Sequence, residues 1–206
     1  MKSLGKVFLL GDSYSSFVGS VLPDCPCYYP TYDVTSVDKT WWHQLMTATG
    51  STMVYNSGFS GSTVCNTGYG GYCPAESFVG RMHAAVESGL TKDIDTVLVF
   101  GGTNDCWNGS PVGEIKYGEQ SEEDLKAFLP AFCHLIEYIK ANVPDSRIIA
   151  IVNSGLSDEI TNGSAEICEH YGVECVRLSD EVFKIDGHPD AAGMTRIKDE
   201  IIAGIK

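Results

Sequence analysis

A hydroxyl, an imidazole, a side-chain amide and glycine N–H groups recur in this sequence in short loops rather than inside its apolar runs. Gly11–Asp12–Ser13–Tyr14–Ser15 offers the hydroxyl, and Asn56–Ser57–Gly58–Phe59–Ser60–Gly61–Ser62–Thr63 offers the glycine N–H groups. Gly101–Gly102–Thr103–Asn104–Asp105 offers the amide, and Asp186–Gly187–His188–Pro189 the imidazole. Together these are the parts that attack a carbonyl: a nucleophile, a base to take its proton, and donors for the oxyanion that develops. Each alone has a plainer explanation. Ser13 fits a turn or cap hydroxyl, Asn104 a satisfied loop amide, His188 a surface residue before a helix, and Gly61 a residue of positive φ.

The elements around these loops alternate. Lys6–Leu10, Thr52–Asn56, Thr96–Phe100, Arg147–Val152 and Glu174–Leu178 read as strands, and the unbroken apolar run at 96–100 suits a strand covered on both faces. Thr40–Thr49, with Trp41, Trp42, Leu45 and Met46 on one side, reads as a helix stopped by Gly50, and the Trp41–Trp42 pair is expected in the core. Ser77–Ser88 is a second helix, with Phe78, Met82, Ala85 and Val86 inward. Ser121 and Asp124 resemble a capping box that opens a long helix carrying Leu125, Phe128, Phe132, Ile136 and Ile139, kinked at Pro130. A helical stretch ends at Gly172, and Asp190 can cap the last helix. Five strands separated by helices, with no hairpin signal between them, predict a single domain over residues 1–206: a three-layer α/β/α sandwich on a five-stranded parallel sheet. In such sheets ligands bind beyond the carboxyl ends of the strands, which is where the four loops fall.

Composition narrows the function further. The chain has 206 residues, 14 basic against 27 acidic, and a net charge of −13. That charge disfavours nucleic acid and anionic membrane surfaces as partners. No apolar run reaches the roughly 18–20 residues of a membrane span, and Val7–Leu10 is too short for a signal-peptide core. The 8 cysteines have no metal-ligand spacing, so free thiols in a reducing, cytoplasmic compartment are expected.

On these motifs the chain resembles the SGNH (GDSL-type) serine hydrolases over almost its whole length. Gly11–Asp12–Ser13 resembles the block that carries the nucleophile, and Asn56-x-Gly58-x-Ser60–Gly61 the block whose final glycine N–H faces the oxyanion. Gly102–Thr103–Asn104–Asp105 is similar to the block whose asparagine also donates, and His188–Pro189 to the block of the base. The resemblance implies a flavodoxin-like fold, no metal and no organic cofactor, and hydrolysis of small-molecule esters, acylated carbohydrates among them. It implies Ser13 as nucleophile, His188 as base, and Ser13, Gly61 and Asn104 as the oxyanion hole.

The chain departs from the family at the acid. The usual Asp-x-x-His would put an aspartate at 185, where this chain has Ile185, and the nearest carboxylate is Asp186. On an extended segment residues two apart project to one side, so Asp186 is expected to reach the imidazole. The other arrangement has a backbone carbonyl orienting Nδ1. Tyr14, Trp107 and the Cys65–Cys73 loop with Tyr69 and Tyr72 are candidates for a pocket wall, and Gly68–Gly71 for a flap. Three other readings use the same residues or fold: an acyltransferase, a non-catalytic binder of carbohydrate esters, and a nucleotide or FMN binder. For the last, Asp12 stands where a phosphate would approach.

Overall fold

The structure, a computed structural model, describes residues 3–179 and 184–206. In chain order the elements are strand β1 (Lys6–Gly11), helix α1 (Trp41–Thr49), β2 (Thr52–Gly58), β3 (Thr67–Gly68), β4 (Gly71–Tyr72), α2 (Phe78–Glu87) and β5 (Thr96–Gly101). There follow α3 (Thr103–Asn108), α4 (Phe128–Asn142), β6 (Arg147–Val152), α5 (Asp158–Tyr171), β7 (Glu174–Arg177), β8 (Lys184–Ile185), β9 (His188–Pro189) and α6 (Ala191–Gly204).

The five longer strands form one parallel sheet in the order β2-β1-β5-β6-β7. Period-two alternation sends successive side chains to opposite layers. Phe8, Leu10, Val97 and Val99 join the core that includes Phe78, Met82, Leu135, Ile139 and Ile167. Val7, Leu9, Leu98 and Phe100 join the core that includes Trp41, Leu45, Ile197 and Ile201. Thus α2, α4 and α5 cover one face and α1 and α6 the other, which gives the three-layer sandwich. Both Trp41 and Trp42 are buried. The strand order reverses between β1 and β5, so the carboxyl ends of β1, β2 and β5 open on one crevice.

Two small antiparallel hairpins lie outside the sheet, β3–β4 and β8–β9. The second was not foreseen, because 186–188 was read as extended: Asp186 and Gly187 have φ of 47° and 80°, and two consecutive positive-φ residues, Asp-Gly above all, make a two-residue hairpin turn.

The long helix also differs from expectation. Ser121 and Asp124 do form the reciprocal pair, with Ser121 N–H donating to Asp124 Oδ2 at 2.7 Å and Asp124 N–H to Ser121 Oγ at 3.3 Å. That pair closes only a single turn at Asp124–Lys126. Ala127 is extended, and α4 begins afresh at Phe128. Pro130 explains the break, because its ring would clash with the carbonyl of Lys126 in a continuous helix. In the first turn of α4 its missing N–H costs nothing, since first-turn donors lack helical partners anyway. The Phe128 and Leu129 N–H groups donate to the carbonyls of Pro111 and Val112 at 2.8 and 2.9 Å. Pro130→Ala is accordingly expected to change stability by less than about 1 kcal/mol in chemical denaturation, whereas a proline inside the helix, such as Leu135→Pro, costs roughly 3 kcal/mol or more.

Candidate active site

Ser13 opens a short turn directly after β1 and is 2% exposed. Asp12 caps that turn, its Oδ1 accepting the Tyr14 N–H at 2.9 Å. Asn56 braces it from β2: its amide donates to the Ser15 carbonyl at 3.0 Å, while its Oδ1 accepts the Gly58 N–H at 2.9 Å. Gly58 has to be glycine here, because a Cβ would stand 2.9 Å from the Ser15 backbone.

The imidazole arrives from the other end of the chain. His188 Nε2 lies 2.9 Å from Ser13 Oγ. His188 Nδ1 lies 3.3 Å from the carbonyl oxygen of Asp186. A carbonyl only accepts, so Nδ1 carries the proton and Nε2 presents its lone pair to the hydroxyl.

The Asp186 side chain does not make the contact expected of it. Its Oδ2 accepts from the Tyr32 hydroxyl at 2.5 Å, while its main chain faces the histidine. The expectation treated 186–188 as continuous strand. Asp186 is instead the first turn residue of the hairpin, at positive φ, so the two-residue alternation does not carry to it.

The Tyr14 expectation needs a similar correction. Its side chain is fully buried, edge-on to Phe100, and its hydroxyl donates to the Gly187 carbonyl, so it braces the histidine hairpin instead of walling a pocket. Trp107, 44% exposed, sits edge-on to the imidazole and packs against Gly187, where a Cβ would come within 2.8 Å of its ring.

Gly61 turns the loop after β2 with φ of 85°. Among the described residues neither the Ser13 nor the Gly61 N–H has a protein acceptor. Asn104, on α3 and 3% exposed, donates through Nδ2 to the Ser62 carbonyl at 2.9 Å and accepts the Tyr69 hydroxyl at 3.3 Å. Beside Gly61 lies a cavity of about 300 Å³ lined by Phe59, Ser60, Gly61, Tyr69, Cys73 and Glu76, among others. Tyr69 and Tyr72 are exposed on the β3–β4 hairpin, and Cys65 is buried beneath it. The described residues hold no cluster of three or more His, Cys, Asp or Glu able to take a metal ion.

Two features here escaped the sequence. Arg81, buried on α2 among Phe78, Met82 and Ala85, donates to the carbonyls of Ser57, Gly11 and Glu76 and to the hydroxyls of Ser57 and Ser62. A charged residue interrupting an apolar helical stripe was its only signal. Asp105 accepts the N–H groups of Val64 and Cys65 at 2.8 and 3.1 Å, pinning the loop that carries Gly61. Burial pushes its carboxyl up to about 6, against the pull of those N–H groups. Burial likewise pushes Asp12 up to about 7, the Tyr14 N–H pulling it back and the Asp105 charge raising it further. Asp12 Oδ2 has no hydrogen-bond partner among the described residues.

The family model for GDSL-like lipase/acylhydrolase matches residues 5–205. The chain belongs to that family. Two solved structures of candidate GDSL-like lipases are similar to it throughout. The one from Bacteroides uniformis ATCC 8492 is 40% identical with a TM-score of 0.89, covering 98% of this chain and 95% of its own. The one from Bacteroides ovatus ATCC 8483 is 37% identical with a TM-score of 0.88, covering 98% of each. An acetyl xylan esterase from Butyrivibrio proteoclasticus shares the fold at 17% identity and a TM-score of 0.57, covering 98% of this chain and 64% of its own. A search of curated proteins finds no match.

Two outcomes follow from the buried charges of this GDSL-like site. Arg81→Lys, which cannot reproduce the guanidinium fork, is expected to cost roughly 2–4 kcal/mol of stability in denaturant melts. Asp12 and Asp105 have raised pKa values when folded, so between about pH 4 and 7 these two groups hold fewer protons in the unfolded chain than in the native one, and their contribution to stability falls as pH rises. Asp12→Asn is expected to flatten that decline; an unchanged slope would show that Asp12 does not carry it.

Proposed function

We propose that this protein is a serine esterase acting on small acyl esters, carbohydrate esters among them. The observation that carries the reading is the 2.9 Å approach of His188 Nε2 to Ser13 Oγ, with Nδ1 protonated against a carbonyl. In that arrangement Ser13 Oγ attacks the ester carbonyl as its proton passes to Nε2. The imidazolium then returns the proton to the departing alcohol, and water releases the acyl group by the same route. The uncommitted N–H groups of Ser13 and Gly61 are suited to hold the oxyanion. So is the second Nδ2 hydrogen of Asn104, because Ser62 takes only one of the two. No metal or organic cofactor enters this chemistry.

His188 must reach the leaving oxygen, so the alcohol lies on the side of Trp107 and Tyr32, both exposed aromatics on which a sugar face can stack. The acyl group then turns away from the histidine toward the cavity beside Gly61, whose volume of about 300 Å³ suits a short chain.

The test combines labelling and turnover. A fluorophosphonate probe is expected to label the wild-type protein and not Ser13→Ala, and p-nitrophenyl acetate and butyrate to be hydrolysed faster than long-chain esters, alongside acetylated sugars. Absence of labelling would leave a binding domain in place of an esterase. Asn104→Ala is expected to lower kcat by about 10²–10³ with the fold intact, the usual loss of one oxyanion donor. Asp186→Asn is expected to keep most of the turnover, against the ~10⁴-fold loss of a triad whose aspartate bonds the histidine directly.

A further inference from the structure

His188 stands in an aromatic setting. The Tyr28 ring lies face to face with the imidazole, centroids 3.6 Å apart and planes 8° from parallel. Tyr14 is tilted against the imidazole and Trp107 is edge-on, each at 5.5 Å. Tyr28 is itself held in place. Its N–H donates to Ser16 Oγ at 2.8 Å, and that hydroxyl donates to the carbonyl of Ser13 at 3.0 Å, so the stacking residue is tied to the turn of the nucleophile. Tyr29, edge-on to Tyr28, donates its hydroxyl to the Pro189 carbonyl at 2.6 Å. Among the described residues, the ionisable groups at the imidazole include the phenols of Tyr14 and Tyr28, and the Asp186 carboxylate two residues away is engaged by Tyr32.

Building on the esterase reading above, we infer that Tyr28 is a positioning residue for the base: its π face fixes the plane of His188 and stabilises the imidazolium that forms when Ser13 loses its proton. An aromatic face attracts a cation stacked on it more strongly than the neutral ring it came from. The stacking therefore favours the proton-transfer step over the resting state, the same service that a carboxylate on Nδ1 provides in a triad. Here the Asp186 carboxylate is bonded to Tyr32, and the Tyr28 ring lies face to face with the imidazole.

Fluorophosphonate labelling reads this step without any assumption about substrate. Ser13 Oγ forms the bond to phosphorus, fluoride departs, and the serine proton passes to Nε2. The expected result is that Tyr28→Leu, which removes the π face, slows labelling and kcat by about two- to thirty-fold with little change in KM. The acidic limb of the pH profile should also move to lower pH, because the imidazolium loses stabilisation. Tyr28→Phe and Tyr28→Trp keep the π face and are expected to restore both rate and profile. Two results would overturn the inference: Tyr28→Leu labelling at the wild-type rate, or Tyr28→Phe falling as far as Tyr28→Leu with the acidic limb unmoved. Failure of the esterase reading itself would look different, since the wild-type protein would then not be labelled at Ser13 at any pH.

Discussion

A guanidinium taken out of water must have its donors satisfied, and that requirement organises this molecule around Arg81. Its partners are main-chain carbonyls at the ends of β1 and β2, a carbonyl before α2, and the hydroxyls of Ser57 and Ser62. Among the described residues no carboxylate bonds it directly, and burial lowers its pKa only to about 10, so it stays charged at neutral pH. The strand ends of a parallel sheet present carbonyls that no next strand residue can satisfy, and one planar cation gathers several of them. With that cation in place, the turn of Ser13 and the loop of Gly61 have a fixed separation. The Asn104 amide is set against the same loop through Ser62.

The histidine is fastened by different means. Among the described residues no strand of the parallel sheet leads into it; β8–β9 is a ribbon of two residues per strand that could not stand alone. Its carbonyls at Gly187 and Pro189 are taken by the hydroxyls of Tyr14 and Tyr29, and its Asp186 carboxylate by Tyr32. A phenol suits this work because its ring packs into the core while its hydroxyl reaches a backbone acceptor.

The sheet was readable in the sequence because its strands are covered on both faces, and such strands appear as short continuous apolar runs between turn residues. The loops of Ser13, Gly61, Asn104 and His188 were readable because each follows such a run or precedes a capped helix. What stayed hidden depended on contacts across the chain. Arg81 looked like a break in an amphipathic stripe, and only the tertiary fold shows the carbonyls it meets. Tyr28, Tyr29 and Tyr32 sit in a long loop with no periodicity to place them. Asp186 was misplaced because the strand rule was applied across an Asp-Gly turn, and α4 began late because Pro130 forbids the helix that Ser121 and Asp124 seem to start.

The tyrosines that hold the histidine all belong to the first 32 residues, whereas the ribbon they hold belongs to the last 23. Segments 154 to 173 residues apart in sequence are thereby laced together outside the sheet. The irregular stretch between β1 and α1 is then a place where substitutions can reset the seat of the imidazole without touching the hydroxyl, the imidazole itself or the core of the sheet.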